Sequence, residues 1–294
     1  MTKLSVIVVN YNSGPCLASC LDTVLGDANV TEVVVVDNAS ADDSMRAAQA
    51  RMQNSPERLQ WVQLETNTGF ARAANRGVEH THGGLLLFLN PDAQLQAGAL
   101  QNALSSLHCT RGVGLVGAWV VDAQGHEQRG TRRRLPTLMN ASVTFLGLGF
   151  LERWWPKCQS INLGWQAVPT DNQVVEAVSG AFMLMPRKAF VEIGGFDPGY
   201  FLHCEDLDLF WRLRQAGYAI VLAVHAKVTH EQGVPSRSVP LRVHFHKHRS
   251  MARFFLRHDM ARGRRLVTLI LLGLLWLRYC LALPWVVVRA LVNR

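Results

Sequence analysis

An α/β fold with a doubly wound, mostly parallel sheet is the architecture this sequence predicts, and three observations carry it. Short, wholly apolar, β-branched runs recur, as in LSVIVV at residues 4–9 and EVVVVD at Glu32–Asp37, the composition of strands covered on both faces. Segments of helical spacing separate them, so the order reads β-α-β-α-β-α-β, as parallel strands joined by crossovers require. Polar side chains then gather where the runs stop: Asn10, Tyr11 and Asn12 after the first, Asp37 and Asn38 after the second, Asn67 after the third, Asn90 and Asp92 after the fourth. Sheets of this kind bind ligands outside the carboxyl ends of their strands.

Each element has a local cause. Pro15 suits the opening turn of a helix over residues 15–25, where its fixed φ is helical and its missing N–H costs nothing. Ser40, with Asp43 three residues on, is a capping-box pattern that announces a second helix. Residues 59–64 read as a strand, 70–76 as a short helix, Leu85–Leu89 as a fourth strand and 99–107 as a helix. GVGLVG at residues 112–117 fits a G-x-G-x-x-G pattern, but a helical stretch precedes it and a strand-like run follows. A dinucleotide fingerprint needs the opposite order, so these glycines are set aside as phosphate binders. From residue 125 to about 173 the pattern is irregular, carrying RGTRRRLP and FLGLGFLERWWPKC; this is either a solvated basic face with packed tryptophans or a lid on the acceptor side. VEAVSGAFMLMPR at residues 175–187 resumes as a strand, with Gly180 placed for a close backbone approach.

Composition bounds the function classes. With 294 residues, 49% hydrophobic and 18% charged, the chain can bury a full core and is not of disordered type. Its formal charge of +8 is local, because residues 241–265 hold eight Lys or Arg against the single acid Asp259. The six cysteines form no CxxC pair and no metal-ligand cluster with histidine, so they are expected to be buried thiols in a reducing compartment. Only six apolar residues follow Met-Thr-Lys, too few for a signal peptide, which places the amino-terminal domain in the cytosol.

FLHCEDLDLFWRLRQAG, residues 201–217, crowds Glu205, Asp206 and Asp208 into four positions beside Phe201, Phe210 and Trp211. Carboxylates in the first turn of a helix complement its positive end, and Gly217 supplies the stop. That accounts for one or two acids; the third points to a side chain turned into a cleft, where a carboxylate can act as a base.

SVIVVNYNS, VVVVDNASADDS, NTGFARAANRG, FLNPDAQL, SGAFMLMPRKAFVEIGGFDPGYFLHCEDLDLFWRLRQAGY and VTH, in this order over residues 3–230, resemble an inverting family 2 glycosyltransferase of the GT-A fold, in particular its bacterial rhamnosyltransferase-like branch. The resemblance implies transfer of a sugar from a nucleoside-diphosphate donor, dTDP-rhamnose or a UDP-sugar, to a hydroxyl of a glycan or lipid-linked acceptor in cell-surface polysaccharide synthesis. It makes Asp206 the catalytic base, with Glu205 orienting the acceptor and raising the basicity of its neighbour by like charge. Asp208 is left to an i,i+4 pair with Arg212 on the helix surface. It assigns Asn10, Asn12, Asp37, Asn38, Asn67, Gly69, Phe70, Asn75 and Asn90 to the donor side. Asn90-Pro91-Asp92 corresponds to the family's DxD-type metal motif with its first acid replaced by an amide, which leaves Asp92 and His230 to hold a divalent metal, Mg²⁺ or Mn²⁺.

The domains expected are 1–240, the transferase, and 241–294, a basic and apolar helical segment that associates with membrane. Residues 266–292 are long enough to span a bilayer, yet Arg278 sits at the middle and Pro284 interrupts the run. An in-plane or re-entrant hairpin, held to anionic lipid by the preceding cations, places the protein at the cytoplasmic face of a bacterial inner membrane as a peripheral or monotopic protein. A buried helical pair is the alternative. Two other classes compete: a nucleotide-binding regulatory module without transfer activity, which has no use for Glu205, Asp206 or Asp92, and a nucleic-acid binder, which lacks any groove-reading motif. No nucleic acid is expected as a partner, and the oligomeric state is left open.

Overall fold

The computed structural model describes residues 2–108, 111–137, 140, 161–164, 167–231, 240–259 and 263–292. Strands β1 (Leu4–Asn10), β2 (Glu32–Asp37), β3 (Leu59–Gln63) and β4 (Leu85–Leu89) run parallel in the order β3-β2-β1-β4. Helices α1 (Cys16–Leu25), α2 (Ser44–Asn54) and α3 (Phe70–Glu79) make the crossovers. Alternate residues of β1 serve opposite faces, as a pleat demands: Leu4, Val6 and Val8 share one core with Leu17, Leu21 and Val24 of α1, and Ile7 and Val9 share the other with Ala71, Ala74 and Val78 of α3.

After β5 (Ala93–Leu95) and α4 (Ala99–Ser106) the sheet becomes mixed. Strand β6 (Val113–Val121) pairs parallel with β11 (Ala219–His230), while β10 (Phe182–Pro186) inserts antiparallel between β4 and β6. Both β5 and β8 (Gln173–Val175) lie antiparallel to β11. The strand expected over residues 175–187 is thus broken into β8, β9 (Ala177–Val178) and β10. The chain leaves the edge of β11, pairs through β9 with β7 (Arg132–Arg133) in a separate ribbon, and only then enters the main sheet. Gly114 and Gly117 lie inside β6, where a Cβ would come within 2.5 Å of Tyr218 and Val178. They serve close packing, not a phosphate loop.

The second crossover helix begins at Ser44 rather than at Ser40. The hydroxyl of Ser40 is taken by the side chain of Asn10 and the N–H of Asn12, and it is the Asp42 carboxylate that accepts from the Ser44 N–H at 3.2 Å. The basic loop is not a solvated face: Arg132 is buried and paired with Glu127 at 2.8 Å, and Arg133 reaches the acidic cluster. Residues 145–158, read as packing or a lid, lie outside the described residues. Of the cysteines, Cys20 and Cys204 are buried as expected, but Cys16 is half-buried and Cys280 exposed.

Helices α5 (Arg187–Glu192) and α6 (Glu205–Gln215) precede β11, and α7 (Pro240–His258) and α8 (Arg265–Val292) follow it. The basic segment is tied into the fold: Phe254 and Phe255 join the core, and Arg253 and Arg257 both pair with Asp197. Helix α8 continues through Pro284 without the expected interruption. The surroundings of Pro284 are exposed, so nothing packed there opposes the local adjustment its ring forces. Thr268, Leu271 and Leu275 are buried against the protein, whereas Leu281, Trp285 and Leu291 are 73%, 60% and 66% exposed. Only 17% of the most apolar stretch of α8 is buried, unlike the core helix of a soluble protein.

Candidate active site

The strand ends converge as side-chain chemistry. Register sets Asn10 beside Asp37 and Asp37 beside Gln63, and their side chains bond in that line. Asp37, fully buried, accepts from Asn10 Nδ2 at 2.8 Å, Gln63 Nε2 at 2.6 Å and the Ser40 N–H at 3.1 Å. Asn38 continues the lattice, donating to Asn67 Oδ1 at 3.1 Å and accepting from the Thr68 N–H at 2.8 Å. Asn67 Oδ1 also accepts from the Gly69 N–H at 3.0 Å. These residues form one hydrogen-bonded lattice at the carboxyl ends of β1, β2 and β3, with most of their hydrogen-bonding capacity spent on one another.

Three other residues expected on the donor side do structural work. The amide of Asn75 takes both backbone groups of Phe196, at 2.8 and 3.0 Å, so it ties α3 to the loop before α6. The ring of Phe70 packs edge-on against Phe196, centroids 5.5 Å apart. Asn12, at φ 50°, turns its Oδ1 to the Ala41 N–H. Gly69 is required where it stands, because at φ 85° a Cβ would lie 2.4 Å from the Phe201 carbonyl oxygen. That close approach joins the start of α3 to the acidic segment.

A second cluster forms at the ends of β4 and β11. Asp92 Oδ1 lies 3.0 Å from His230 Nε2, both residues being buried, and Asn90 Nδ2 lies 3.3 Å from the same nitrogen. Gln128 fixes the histidine. Its Nε2 donates to the His230 carbonyl at 2.9 Å, which turns its Oε1 to His230 Nδ1 at 2.7 Å. Gln128 thus occupies the Nδ1 side of the ring, and Nε2 faces the Asp92 carboxylate. A carboxylate oxygen and an imidazole nitrogen brought to one point, with the ring oriented through its other nitrogen, are ligand types suited to a divalent cation. Among the described residues no third His, Cys, Asp or Glu completes a cluster able to hold a metal on protein groups alone, so water and the donor diphosphate would supply the remaining oxygens.

The acidic cluster opens α6. His203 and Cys204 precede it in the left-handed region at φ 65° and 64°, a conformation that costs a non-glycine residue about 1 kcal/mol or more and gathers at functional sites. Asp206 is ion-paired with Arg133 through Oδ2 and accepts from the Leu207 N–H through Oδ1 at 2.8 Å. Arg133 is anchored in turn by the Val178 carbonyl at 2.9 Å. Gly180 leaves room for Asp206, whose Oδ2 would stand 3.1 Å from a Cβ there. The upward push on a carboxyl falls on Glu205. Burial first and the Asp206 charge second raise it to about 8, and its Oε2 is buried with no hydrogen-bond partner among the described residues.

Asp208 is not on the helix surface as expected. It is fully buried, pairing with Arg212 at 2.7 Å and accepting from His258 Nε2 of α7 at 2.8 Å. Burial pushes its carboxyl up, but the His258 hydrogen bond and the Arg212 cation outweigh this and hold it below the usual range. The sequence did not single out Arg133, Gln128 or His258. RGTRRRLP was the one visible signal for Arg133. The metal-side and acidic clusters meet at adjacent residues: Ala181 accepts from the Asn90 N–H at 3.0 Å, and Gly180 lies against Asp206.

Residues 5–194 match the profile of Glycosyl transferase family 2. An N-acetylglucosaminyl-diphospho-decaprenol L-rhamnosyltransferase of Mycobacterium tuberculosis is 27% identical over 242 residues, covering 78% of this chain and 76% of that protein. The rhamnosyltransferase WbbL of Escherichia coli is 32% identical over 143 residues, 48% of this chain and 50% of that one. Among solved structures, the mannosyltransferase PcManGT of Pyrobaculum calidifontis, in complex with GDP-Man and Mn²⁺, shares the fold with a TM-score of 0.59 at 19% identity, over 96% of this chain and 75% of that one. TarS of S. aureus in complex with UDP-GlcNAc does so with a TM-score of 0.54 at 18% identity, over 86% and 66%. With the profile spanning most of its length and a GT-A sheet carrying its strand-end clusters, the chain belongs to glycosyl transferase family 2 and is a glycosyltransferase.

Proposed function

We propose that this glycosyltransferase inverts the anomeric carbon of a sugar carried by a nucleoside diphosphate, dTDP-rhamnose or a UDP-sugar, and delivers it to a hydroxyl of a lipid-linked glycan acceptor. The observation that carries the proposal is the meeting at Gly180 and Ala181 of a carboxylate pair and an oxygen-and-imidazole donor set. Asp206 is the base that takes the acceptor proton as the oxygen attacks, and Glu205 orients the acceptor. Asp92 and His230 would hold Mg²⁺ or Mn²⁺, which offsets charge on the departing diphosphate. Asn10, Asp37, Asn38 and Asn67 shape the nucleoside end of the cleft. Rhamnose and a lipid diphosphate are favoured because the mycobacterial relative's name specifies both.

Residues 1–240 form the transferase unit in this reading, and residues 241–294 attach it to the cytoplasmic face of a membrane. Helix α8 supports this, being long and apolar enough to cross a bilayer and largely uncovered. The test is acceptor-dependent release of nucleoside diphosphate by purified full-length protein from dTDP-rhamnose and a panel of UDP-sugars, with and without Mn²⁺. Nucleotide binding without transfer, to any lipid-linked or soluble acceptor, would sink the proposal and leave a regulatory module.

A further inference from the structure

Beside the acidic segment lies a concavity apart from the strand-end clusters. It holds about 580 Å³ and is lined by Phe201, His246, Arg249, Arg253, Arg257 and Trp276. The three arginines stand at i, i+4 and i+8 on α7 and so form one stripe about 12 Å long. Arg253 and Arg257 share the carboxylate of Asp197, Arg257 also stands 3.8 Å from Asp208, which Arg212 already pairs, and the two arginine side chains remain 41% and 45% exposed. Arg249 adds a further exposed guanidinium, so the stripe keeps excess positive charge. His246 is 8% exposed and stacks on Phe201 with ring centroids 4.3 Å apart, yet its Nδ1 has no partner among the described residues. Trp276 belongs to α8 and brings one wall of the concavity onto the helix whose outer face is bare and apolar.

We propose that this groove binds the diphosphate of a prenyl-linked acceptor, with the prenyl chain running along the exposed face of α8. The inference rests on the reading that the acceptor is lipid-linked. Three features select this occupant, the first against the monophosphate of a bulk phospholipid. Three guanidiniums in a row present more donors than one phosphate takes, and guanidinium forks suit phosphate oxygens. An aromatic and apolar wall continues into a lipid-facing helix, which a free phosphate would not use. The groove also shares its loop with the base: Ser250 of α7 donates to the Leu202 carbonyl at 2.8 Å, and Phe201 stands shortly before Glu205 and Asp206. A diphosphate held here would rest against the segment that leads directly into that carboxylate pair.

The test uses full-length protein in neutral detergent with the donor cleft filled by saturating UDP and dTDP. Farnesyl diphosphate, inorganic diphosphate and phosphatidylglycerol vesicles are each titrated against wild type, Arg249→Gln and Arg249→Lys. Farnesyl diphosphate is expected to bind, about tenfold or more weaker in Arg249→Gln and with part of the loss restored by lysine, the scale of one charge-assisted contact. Inorganic diphosphate is expected to bind at least about tenfold more weakly than its prenyl ester, and vesicle binding to change less than about twofold. Farnesyl diphosphate affinity unchanged by Arg249→Gln overturns the proposal, as does an equal loss of vesicle binding, which would mark the stripe as a general anionic-lipid contact. Nucleotide-sugar binding in parallel samples separates the two readings: its absence defeats the transfer reading and leaves the groove result standing.

Discussion

Arg133 donates to Asp206, and the same guanidinium is pinned to the Val178 carbonyl, so the carboxylate at the head of α6 is held from a ribbon outside the main sheet. The anchor fixes the direction of Asp206 while occupying one of its oxygens. An acceptor hydroxyl must therefore use a remaining lone pair. Asp206→Asn keeps the shape and removes the base, so turnover is expected to fall by at least about a hundredfold, the usual scale for general-base loss, with donor binding changed only a few fold. Arg133→Gln leaves the base in place and should cost less turnover than Asp206→Asn. Steady-state rates for the two variants check this order, and near-normal turnover of Asp206→Asn refutes the assignment.

His230 owes its orientation to Gln128, which bonds both its ring and its carbonyl. Donor binding that depends on Mn²⁺ is expected to disappear in Asp92→Ala and in His230→Ala. Gln128→Ala retains both ligands and is expected to weaken the metal by about ten- to a hundredfold, as loss of an orienting partner does. Calorimetric titration of donor with and without Mn²⁺ measures both, and metal-independent affinity in wild type would place the metal elsewhere.

Much of this was legible before any coordinates. β1 and β2 are β-branched runs ending in Asn10 and Asp37, so period and chemistry together mark their bounds and functional ends, whereas β4 is a Leu-rich run marked by the Asn90 that follows it. The antiparallel direction of β10 was not legible, because an apolar run does not encode which way it enters a sheet. Nor were the partners: Asp208 with Arg212 and His258, Asp206 with Arg133, and His230 with Gln128 lie 4, 73 and 102 residues apart or bridge separate helices. Only the i,i+4 pair among them is a local regularity. Its burial was missed because α7, which covers it, reads in sequence as a basic segment held to anionic lipid. The asparagines show the converse error, since residue type foretold their convergence but not that Asn75 is consumed by backbone.

Glu205 and Asp208 titrate with opposite signs. Glu205 holds its proton more tightly in the folded chain than at its ordinary value of 4.5. Its contribution to stability is therefore full below about 4.5 and is lost as pH rises toward about 8. Glu205→Gln removes that dependence, so the difference in melting temperature between pH 5 and pH 8.5 is expected to be smaller in the variant than in wild type. Asp208, held low, contributes stability above its ordinary value of 3.8 that is lost only as pH falls below it, outside this window. Asp208→Asn leaves Arg212 with reduced compensation in a buried site and is expected to lower unfolding free energy by about 3–5 kcal/mol. Denaturant unfolding at neutral pH checks that figure, and thermal scans at the two pH values check the first.

Helix α8 buries one face of its first half, Leu266, Val267, Leu269 and Ile270 staying exposed on the other, while its second half is bare, and truncation separates the packed part from the bare end. Leu271 and Leu275 are buried to 2% and 1% exposure, and Leu271 belongs to the same core as Ile7 and Phe88. Deleting residues 266–294 strips that face, exposes the side of α7 it covered and is expected to lower the melting temperature. Deleting only residues 281–294 removes Leu281, Trp285 and Leu291 while leaving in place Leu271, Leu275 and Tyr279, which stacks on His244 of α7, so the fold and donor binding are expected to survive. The cations of α7 attract anionic lipid through a force that salt screens, whereas apolar insertion is not released by salt. The shorter truncation is therefore expected to bind phosphatidylglycerol vesicles weakly and to leave them at high salt, while full-length protein stays bound. Transfer to a lipid-linked acceptor should fall far more than transfer to a soluble analogue, because only the former depends on bringing the cleft to a surface. Vesicle sedimentation at low and high salt, with both transfer rates measured on the same preparations, decides the matter. If the shorter truncation unfolds, or keeps salt-resistant vesicle binding, the outer half of α8 is not the attachment.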